Sequence, residues 1–581
     1  MLLSAGGALS ATAGCLNRFR RTADRDEPTQ VNVEITTLPD DEDPYVIRIA
    51  NHLAEMLETA GIDVDVIPRR HETFLRQVLI NQNYDIYVWR QPPQVDPDSL
   101  RPLLHSRFVE EPGWQNPFGF SNSMVDELLE EQLRQEGDNR AETLIELQDA
   151  IVTERPFIPI AFDKDHRLSR PGRIRVNEDV PAGNSAWLLS LRAGPDADED
   201  EPTAVLGATD GRISQNLNPL AVEYRGGNGL VEMLYEPAER RWGSEFVPWL
   251  ASRREWTSPT GARAPTIEIE LRDDLTWHDD EPLTASDVAF SYEFLSNTTM
   301  SDDDPVVPAP RFREWTSIID TTEAIDDVTV RVQFEHATRD VAQQALTLPI
   351  LPEHIWENHT DLTEVAGITI ADATTDALVI DNLDPVGSGP FEVTNVSGGE
   401  FVELSRFEDH FIWDEDVRQS EPFDGVVTDF RHLEIDIRPS ASNIADSILG
   451  GGLDGTLNSL GRSYSEADDE TVLNVSQTLQ LFHVGFNVRR SPLTIHAFRD
   501  VIARLLDRTY LIETVFEDGA DPVISPLFDD RFVPDHLQWT GPESATFLGE
   551  PGTGEVDEEI AREAFRDVGF QYSADGDLLA R

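Results

Sequence analysis

The chain has 581 residues, 39% of them hydrophobic. That is enough for a sizeable core and for about three or four domains at roughly 150 residues each. Its 109 acidic and 46 basic residues leave a formal net charge of −63, which excludes a nucleic-acid footprint, because that requires a basic surface.

Lys164 is the lone lysine and the carboxylates are scattered along the whole chain. This is the pattern of a halophilic proteome, in which an acidic coat keeps proteins soluble in concentrated salt. Self-repulsion at this charge destabilises the fold when salt is low.

The first segment, "LLSAGGALSATAGC", is a short apolar run ending at Cys15, the single cysteine. It is too short to span a membrane. Cys15 has no partner for a disulfide, and a polar linker follows it. The run resembles the end of a lipoprotein signal with Cys15 as the lipidated residue. Thr12 stands where Leu is commonest and a charged n-region is missing, so Met1 is read as a misplaced start.

Residues 31–89 alternate strand and helix. Val31, Val33 and Ile35 have period two. Asp43 and Pro44 form an N-cap and first helical position, and Val46, Ile49, Leu53 and Leu57 make a helical stripe. Ile62, Val64 and Val66 alternate after Gly61. A short helix (Phe74, Val78, Leu79) leads to a third strand at Tyr84–Trp89. This βαβαβ unit implies a parallel sheet with a ligand crevice beyond the strands' carboxyl ends. Residues 121–153 are helical with a break near Gly137, and 157–162 is an apolar strand. "GPDADEDEP" (194–202) is an acidic linker. A β-rich region follows it, with Thr284–Asp287 as a capping box, and a mixed region runs to 475. The last hundred residues carry a strand at Leu481–Val488, a helix at His496–Leu506 and a final helix. Leu578 and Leu579 then start a strand, after a turn at Asp575-Gly576.

No nucleophile, metal or phosphate-loop pattern emerges. HExxH and the calcium-loop order are absent, "VGSGPF" (386–391) is not GxSxG, and 109 carboxylates make chance pairing unavoidable.

From residue 203 onward the chain resembles family 5 of the extracellular solute-binding proteins, the peptide- and nickel-binding components of ABC importers. The residues that carry the resemblance stand in family order. They are "LNPL" (217–220), "LVEMLYEPAERR" (230–241), "FVPWLASRREW" (246–256), "IEIELRDDLTWHDDEPLTASDVAFSYEFL" (267–295), "LPEHIW" (351–356), "VGSGPFEV" (386–393) and "VGFNVRRSPLTIHAFRDVIARLLDR" (484–508). The family's C-terminal third is matched at the front, by "VNVEITT" (31–37), "YVIRIANHLAEMLETAGIDVDV" (45–66), "YDIYVW" (84–89), "DPDSL" (96–100) and "RPFIPIAF" (155–162). The order is that of a circular permutant, in which the strand after Arg581 is supplied by Thr29–Thr37. The alternative is a fusion of two fragments.

The resemblance implies an α/β, two-lobed periplasmic-binding-protein-like fold of type II. It carries the extra subdomain of the peptide-binding family, mixed sheets and a hinge of two crossover strands. The expected parts are a signal remnant and linker (1–30), the first half of lobe 2 (31–156), and a crossover with return to lobe 1 (157–193). The acidic linker (194–202), lobe 1 with the extra subdomain (203–480), and a crossover with the second half of lobe 2 (481–581) follow.

It implies binding rather than catalysis, with no cofactor and no metal. The protein would be a monomer held at the extracellular face of the cell membrane by a lipid on Cys15. It would deliver an oligopeptide, dipeptide or related solute to permease subunits with their ATPase. A ligand sensor without transport and a secreted hydrolase are the alternatives.

Trp89 is expected to stack on the ligand or to be core. Leu217, Asn218, Tyr235, Glu236, Gly387, Ser388 and Gly389 are expected near the cleft. Where peptide-binding members place an Asp for the peptide's amino terminus, this chain has Pro93, and Asp96 is the nearest carboxylate.

Overall fold

The computed structural model describes residues 29–580, apart from 93–95, 178–179, 181–183, 222–228, 243–244, 260, 262–263, 364–372, 421–422, 424–426 and 462–466. Strands Asn32–Thr37, Asp63–Pro68 and Ile86–Arg90 are parallel, with the first in the middle. Between the first two runs helix Pro44–Thr59. The Asp43 carboxylate accepts from the Tyr45 and Val46 amides at 3.0 and 3.3 Å, so two orphan donors of the first turn are satisfied. The helix stops at Gly61, whose φ of +89° and 2.4 Å approach of the Gly576 carbonyl to its missing Cβ position leave room for glycine alone.

The third strand pairs antiparallel with a long strand, Val472–Phe486. That strand pairs in turn with Phe157–Ser169. Both crossovers are longer than the sequence suggests: the first ends in "DKDHRLS", where charged residues hide the strand, and the second begins in the polar, uncharged "VLNVSQT". The Asp165–Arg167 pair, at 2.9 Å and buried, explains how such residues sit inside a sheet. The third strand also starts two residues late, because Tyr84 is turned to donate its hydroxyl to the Pro117 carbonyl at 2.8 Å.

From the crossovers the sheet continues through Gly455–Thr456, Thr203–Ala208, His432–Ile437, Phe401–Arg406 and Phe391–Ser397. With Ala520–Pro522 beside the first crossover it has eleven strands and passes through the whole molecule. A separate antiparallel sheet of four strands is ordered Ala251–Trp256, Thr266–Leu271, Thr329–Phe334, Ile319–Ala324. The helix beside it, Ala285–Ser296, opens with the expected capping box of Thr284 and Asp287.

Two large cores flank the crossovers. One draws on residues 31–162 and 481–578; the other draws on 174–457 and Leu133. The protein is thus an α/β molecule of two lobes, joined by the two crossover strands. In the first of these cores the chain's early and late parts are interleaved. The Val31 amide donates to the Leu578 carbonyl and the Ala580 amide to the Thr29 carbonyl, both at 2.7 Å. Gln30 and Leu579 form an antiparallel bridge, and the Leu578 amide reaches the Gly61 carbonyl at 2.7 Å. The short strand at Leu578 therefore has partners on both sides, since Gln571–Tyr572 pairs with it as well.

The lobes also meet away from the hinge, along a seam where residues 98–116 face 310–317. The Arg101 guanidinium donates to Ser317 Oγ at 2.7 Å and to the Glu314 carbonyl at 2.8 Å. Arg313 pairs with Glu111 at 2.8 Å, and Gln115 Nε2 donates to the Pro310 carbonyl at 2.6 Å. Among the described residues no helix is long and apolar enough to cross a membrane.

Candidate functional site

The carboxyl end of the third parallel strand delivers Trp89, Arg90 and Gln91 to the point where the crossovers leave one lobe for the other. Trp89 is half-buried. Its indole stacks on Trp114, with centroids 5.3 Å apart and planes at 20°, and meets the edges of Phe74 and His71 at 5.0 and 5.2 Å. One face of Trp89 is therefore committed to packing. His71 lies close enough to Arg212 and Asp210 of the opposite lobe to feel their charge. Burial pulls its imidazole down to about 3, Arg212 adds to that and Asp210 opposes it, so His71 is neutral at neutral pH.

Arg90 is the ionic centre of this junction. Its Nε donates to Asp43 Oδ2 and its Nη1 to Asp163 Oδ2, each at 3.0 Å, and its guanidinium lies over the Phe482 ring at 4.9 Å. One side chain thus ties the start of a lobe-2 helix to a crossover strand. Burial pushes the Asp163 carboxyl up to about 7. Arg90 works against that shift, while Asp43 and Asp165 add to it. Beneath lies His483 on the second crossover, its Nε2 2.7 Å from the Tyr87 hydroxyl; burial brings it down to about 3.

The residues nominated from the sequence are brought together only in part. Asp96 caps the turn after it, accepting from the Asp98 amide at 2.8 Å, and pairs with Arg140 at 2.6 Å. Its carboxylate already has a cation, which weakens it as a clamp for an ammonium group. Pro93 and Cys15 lie outside the described residues.

The lobe-1 nominations are mostly interior. Leu217 is fully buried and its amide holds the Asp381 carbonyl at 3.0 Å; Asn218 donates to the Ala377 and Ile380 carbonyls at 2.7 and 3.0 Å. Tyr235 is buried, with Asn382 Nδ2 donating to its hydroxyl at 2.8 Å. Glu236, nominated near the cleft, lies in the interior of lobe 1. It is fully buried and engaged by Arg240 at 3.1 Å, by His410 at 2.8 Å and by the Trp249 indole N–H.

Gly387 and Gly389 pack on the Leu234 and Met233 carbonyls so tightly that a Cβ would lie 2.0 and 1.8 Å from them. The Gly389 carbonyl and the Gly387 amide are held by His278, at 2.9 and 3.3 Å. They join two segments of lobe 1. Ser388 is buried, and among the described residues its hydroxyl has no partner.

The geometry brings forward residues that sequence reasoning passed over: Arg90, Asp163, Trp114, Gln115 and Arg311. Trp114 stood in the aromatic-rich "GWQNPFGF" and could have been noticed. The arginines could not, because arginine makes up nearly all of the chain's basic residues. Among the described residues no group of three or more His, Cys, Asp or Glu is placed to hold a metal ion.

Residues 245–578, more than half of the chain, match the family described as bacterial extracellular solute-binding proteins, family 5 (middle region). The chain belongs to this family. By that description its members are solute-binding proteins found outside the cytoplasm.

Among curated relatives, a probable peptide-binding protein YejA of Agrobacterium fabrum is 26% identical over 204 residues, which is 35% of this chain and 29% of that protein. An uncharacterized YejA of Escherichia coli is 24% identical over 145 residues, 25% of this chain and 20% of that protein. The match therefore spans less than a third of either relative. Among solved structures, NikZ of Campylobacter jejuni with Ni(L-His) is 17% identical with a TM-score of 0.43, over 66% of this chain and 65% of that one. An oligopeptide-binding protein of Thermotoga maritima is 20% identical with a TM-score of 0.43, over 65% and 64% of the two chains.

Proposed function

We propose that the protein is the solute-binding component of an ABC importer. It captures a dipeptide, oligopeptide or related small solute outside the cell and presents it to a membrane permease with its ATPase. Cys15 carries the lipid that keeps it at the membrane face. The family match supports the reading. The single structural observation that carries it is the junction of two lobes about paired crossover strands, with aromatic and ionic side chains of both lobes converging there. Such a hinge lets the lobes part and close on a desolvated solute.

The test is native mass spectrometry of protein purified in multimolar potassium chloride. A small solute is expected to co-purify and to be lost on unfolding. Added back, it should bind Trp89→Ala about 1–3 kcal/mol more weakly, if the free part of the indole packs on it. Absence of any co-purified or rebinding solute, with turnover of peptides instead, would overturn the reading.

We further propose that the family's pieces stand in cyclically shifted order. The pairing of Thr29–Val31 with Leu578–Ala580 and the shared core of 31–162 and 481–578 support this. A gene in which 203–580 is followed by a short hairpin loop of about two to five residues and then 29–193 should give a protein with the same thermal midpoint and solute affinity. If that chain aggregates where the natural order folds, the shifted-order reading is wrong.

A further inference from the structure

The chain carries Asn-X-Ser/Thr sequons at Asn297, Asn358, Asn395 and Asn474. A glycan is bulky and fully hydrated, so the folded protein accommodates one only where the asparagine stands in water with its amide nitrogen free. The fold separates the four on this criterion.

Asn297 is half-buried and anchors a turn. Its Oδ1 accepts from the Thr299 hydroxyl at 2.9 Å and from the Val307 amide at 3.0 Å. Thr299, the hydroxyl residue of that sequon, is itself buried. Asn474 lies on the second crossover strand, where its Nδ2 donates to Ser169 Oγ of the first at 3.0 Å. A sugar on either nitrogen would break contacts that the folded chain uses. Asn358 is exposed, but its Nδ2 is engaged by the His354 and Ile355 carbonyls at 3.2 and 3.3 Å.

Asn395 differs from all three. It is exposed, and among the described residues its carboxamide makes no hydrogen bond. It stands on strand Phe391–Ser397, which is an end strand of the eleven-stranded sheet and pairs there only with Phe401–Arg406. The register shifts between Val393 and Asn395, so Thr394 is the extra residue of a bulge, as is common on sheet edges. A hairpin tip follows directly. The Glu400 amide donates to the Ser397 carbonyl at 2.9 Å, and Gly398 and Gly399 have nothing within 4 Å of where a Cβ would sit. The tip therefore leaves space for a large catalyst to approach.

Beside the strand runs an open groove of about 540 Å³, bordered by Asn395, Val396, Gln215, Leu383 and Asp384. Grooves of roughly 300–1,000 Å³ hold drug-sized molecules, so a first sugar has room here. Leu383 is 46% exposed and offers an apolar wall for the C–H face of a sugar ring.

We propose that Asn395 is an N-glycosylation site, modified by a transferase that takes its sugar from a lipid-linked phosphate donor. Members of the family lie outside the cytoplasm, where sequons of secreted proteins meet such enzymes. In the transfer Asn395 Nδ2 bonds to the anomeric carbon of the sugar. The bond from that carbon to the phosphate oxygen breaks, the lipid phosphate leaves with the electron pair, and one Nδ2 proton is released. The proposal is independent of which solute the protein binds.

The test uses protein recovered from the cells that make it, unfolded and cut after glutamate. Glu392 and Glu400 then bound the peptide "VTNVSGGE" (393–400). Mass spectrometry with electron-transfer fragmentation is expected to find most of this peptide heavier by one or more sugar residues, with the added mass on Asn395. The peptides holding Asn297 and Asn474 are expected bare. Asn395→Gln and Ser397→Ala, each made in the same cells, should lose the added mass, and Ser397→Thr, which keeps the sequon, should retain it. A bare 393–400 peptide from the natural protein overturns the proposal. So does added mass that survives Ser397→Ala, because it would then not depend on the sequon.

Discussion

In dilute salt the protein is expected to unfold. Its charge of −63 is spread over the whole chain, and the only lysine, Lys164, is already paired with Asp521 at 2.6 Å. The arginines are largely spent too. Arg90, Arg101, Arg140, Arg167 and Arg313 hold carboxylates at the hinge and the seam, so few cations remain to offset the exposed acidic coat. The screening length is about 8 Å at 0.15 M salt and about 3 Å at 1 M. Neighbouring surface carboxylates therefore repel one another across their ordinary spacing at low salt and cease to do so in concentrated salt. Net stabilities are only about 5–15 kcal/mol, so this repulsion is large enough to decide the outcome. Circular dichroism across a series from dilute to multimolar potassium chloride should show loss of secondary structure below about 0.5 M. A fold equally stable at both ends of the series would overturn the halophilic reading.

Replacing Arg101 by Met should cost about 3–5 kcal/mol, the usual penalty for breaking a buried ion pair from one side. Asp98 is fully buried and Arg101 is 1% exposed, with Nη2 2.7 Å and Nε 2.9 Å from the two carboxylate oxygens. Burial raises the Asp98 pKa, and Arg101 is what opposes that shift. Without the guanidinium, Asp98 keeps the amide of Gln132, at 2.6 Å, as its remaining side-chain donor from the surrounding helices. The same substitution removes the bonds to Ser317 and the Glu314 carbonyl, so it loosens the lobe seam as well. Urea unfolding in 3 M potassium chloride measures the loss. The double variant Asp98→Leu with Arg101→Met should recover much of it, because no charge is then left uncompensated. A single-variant cost below about 1 kcal/mol would show that the pair is not the buried linkage described here.

The sequence carried the local elements well where one physical signal dominated. Asp43 with Pro44 marked a helix start and Thr284–Asp287 a capping box; both are formed as read, because a cap needs only residues a few positions apart. The parallel βαβ unit was equally legible from period-two and helical stripes. The two crossovers were cut short because the outer half of one is charged and that of the other polar, and such a stretch sits inside a sheet when its side chains find partners, as Asp165 and Arg167 do two residues apart on one strand. The nominated residues of lobe 1 are mostly interior for a related reason. Sequence order places Glu236 and Gly387 in segments beside the cleft. The Glu236 side chain is held inward by Arg240, Trp249 and His410, and the Gly387 backbone packs against the Leu234 carbonyl.

By itself the sequence determined the charge, the family, the class of fold and the capped helices, since these follow from composition and from neighbours within a few residues. The tertiary structure alone decided which groups meet: Thr29 with Ala580, Arg90 with Asp43 and Asp163, and Gln115 and Arg311 about one cavity. Those contacts join residues tens to hundreds of positions apart. They exist because burying two apolar cores brings the segments together, and the polar groups carried in with them must then find partners in a medium without water.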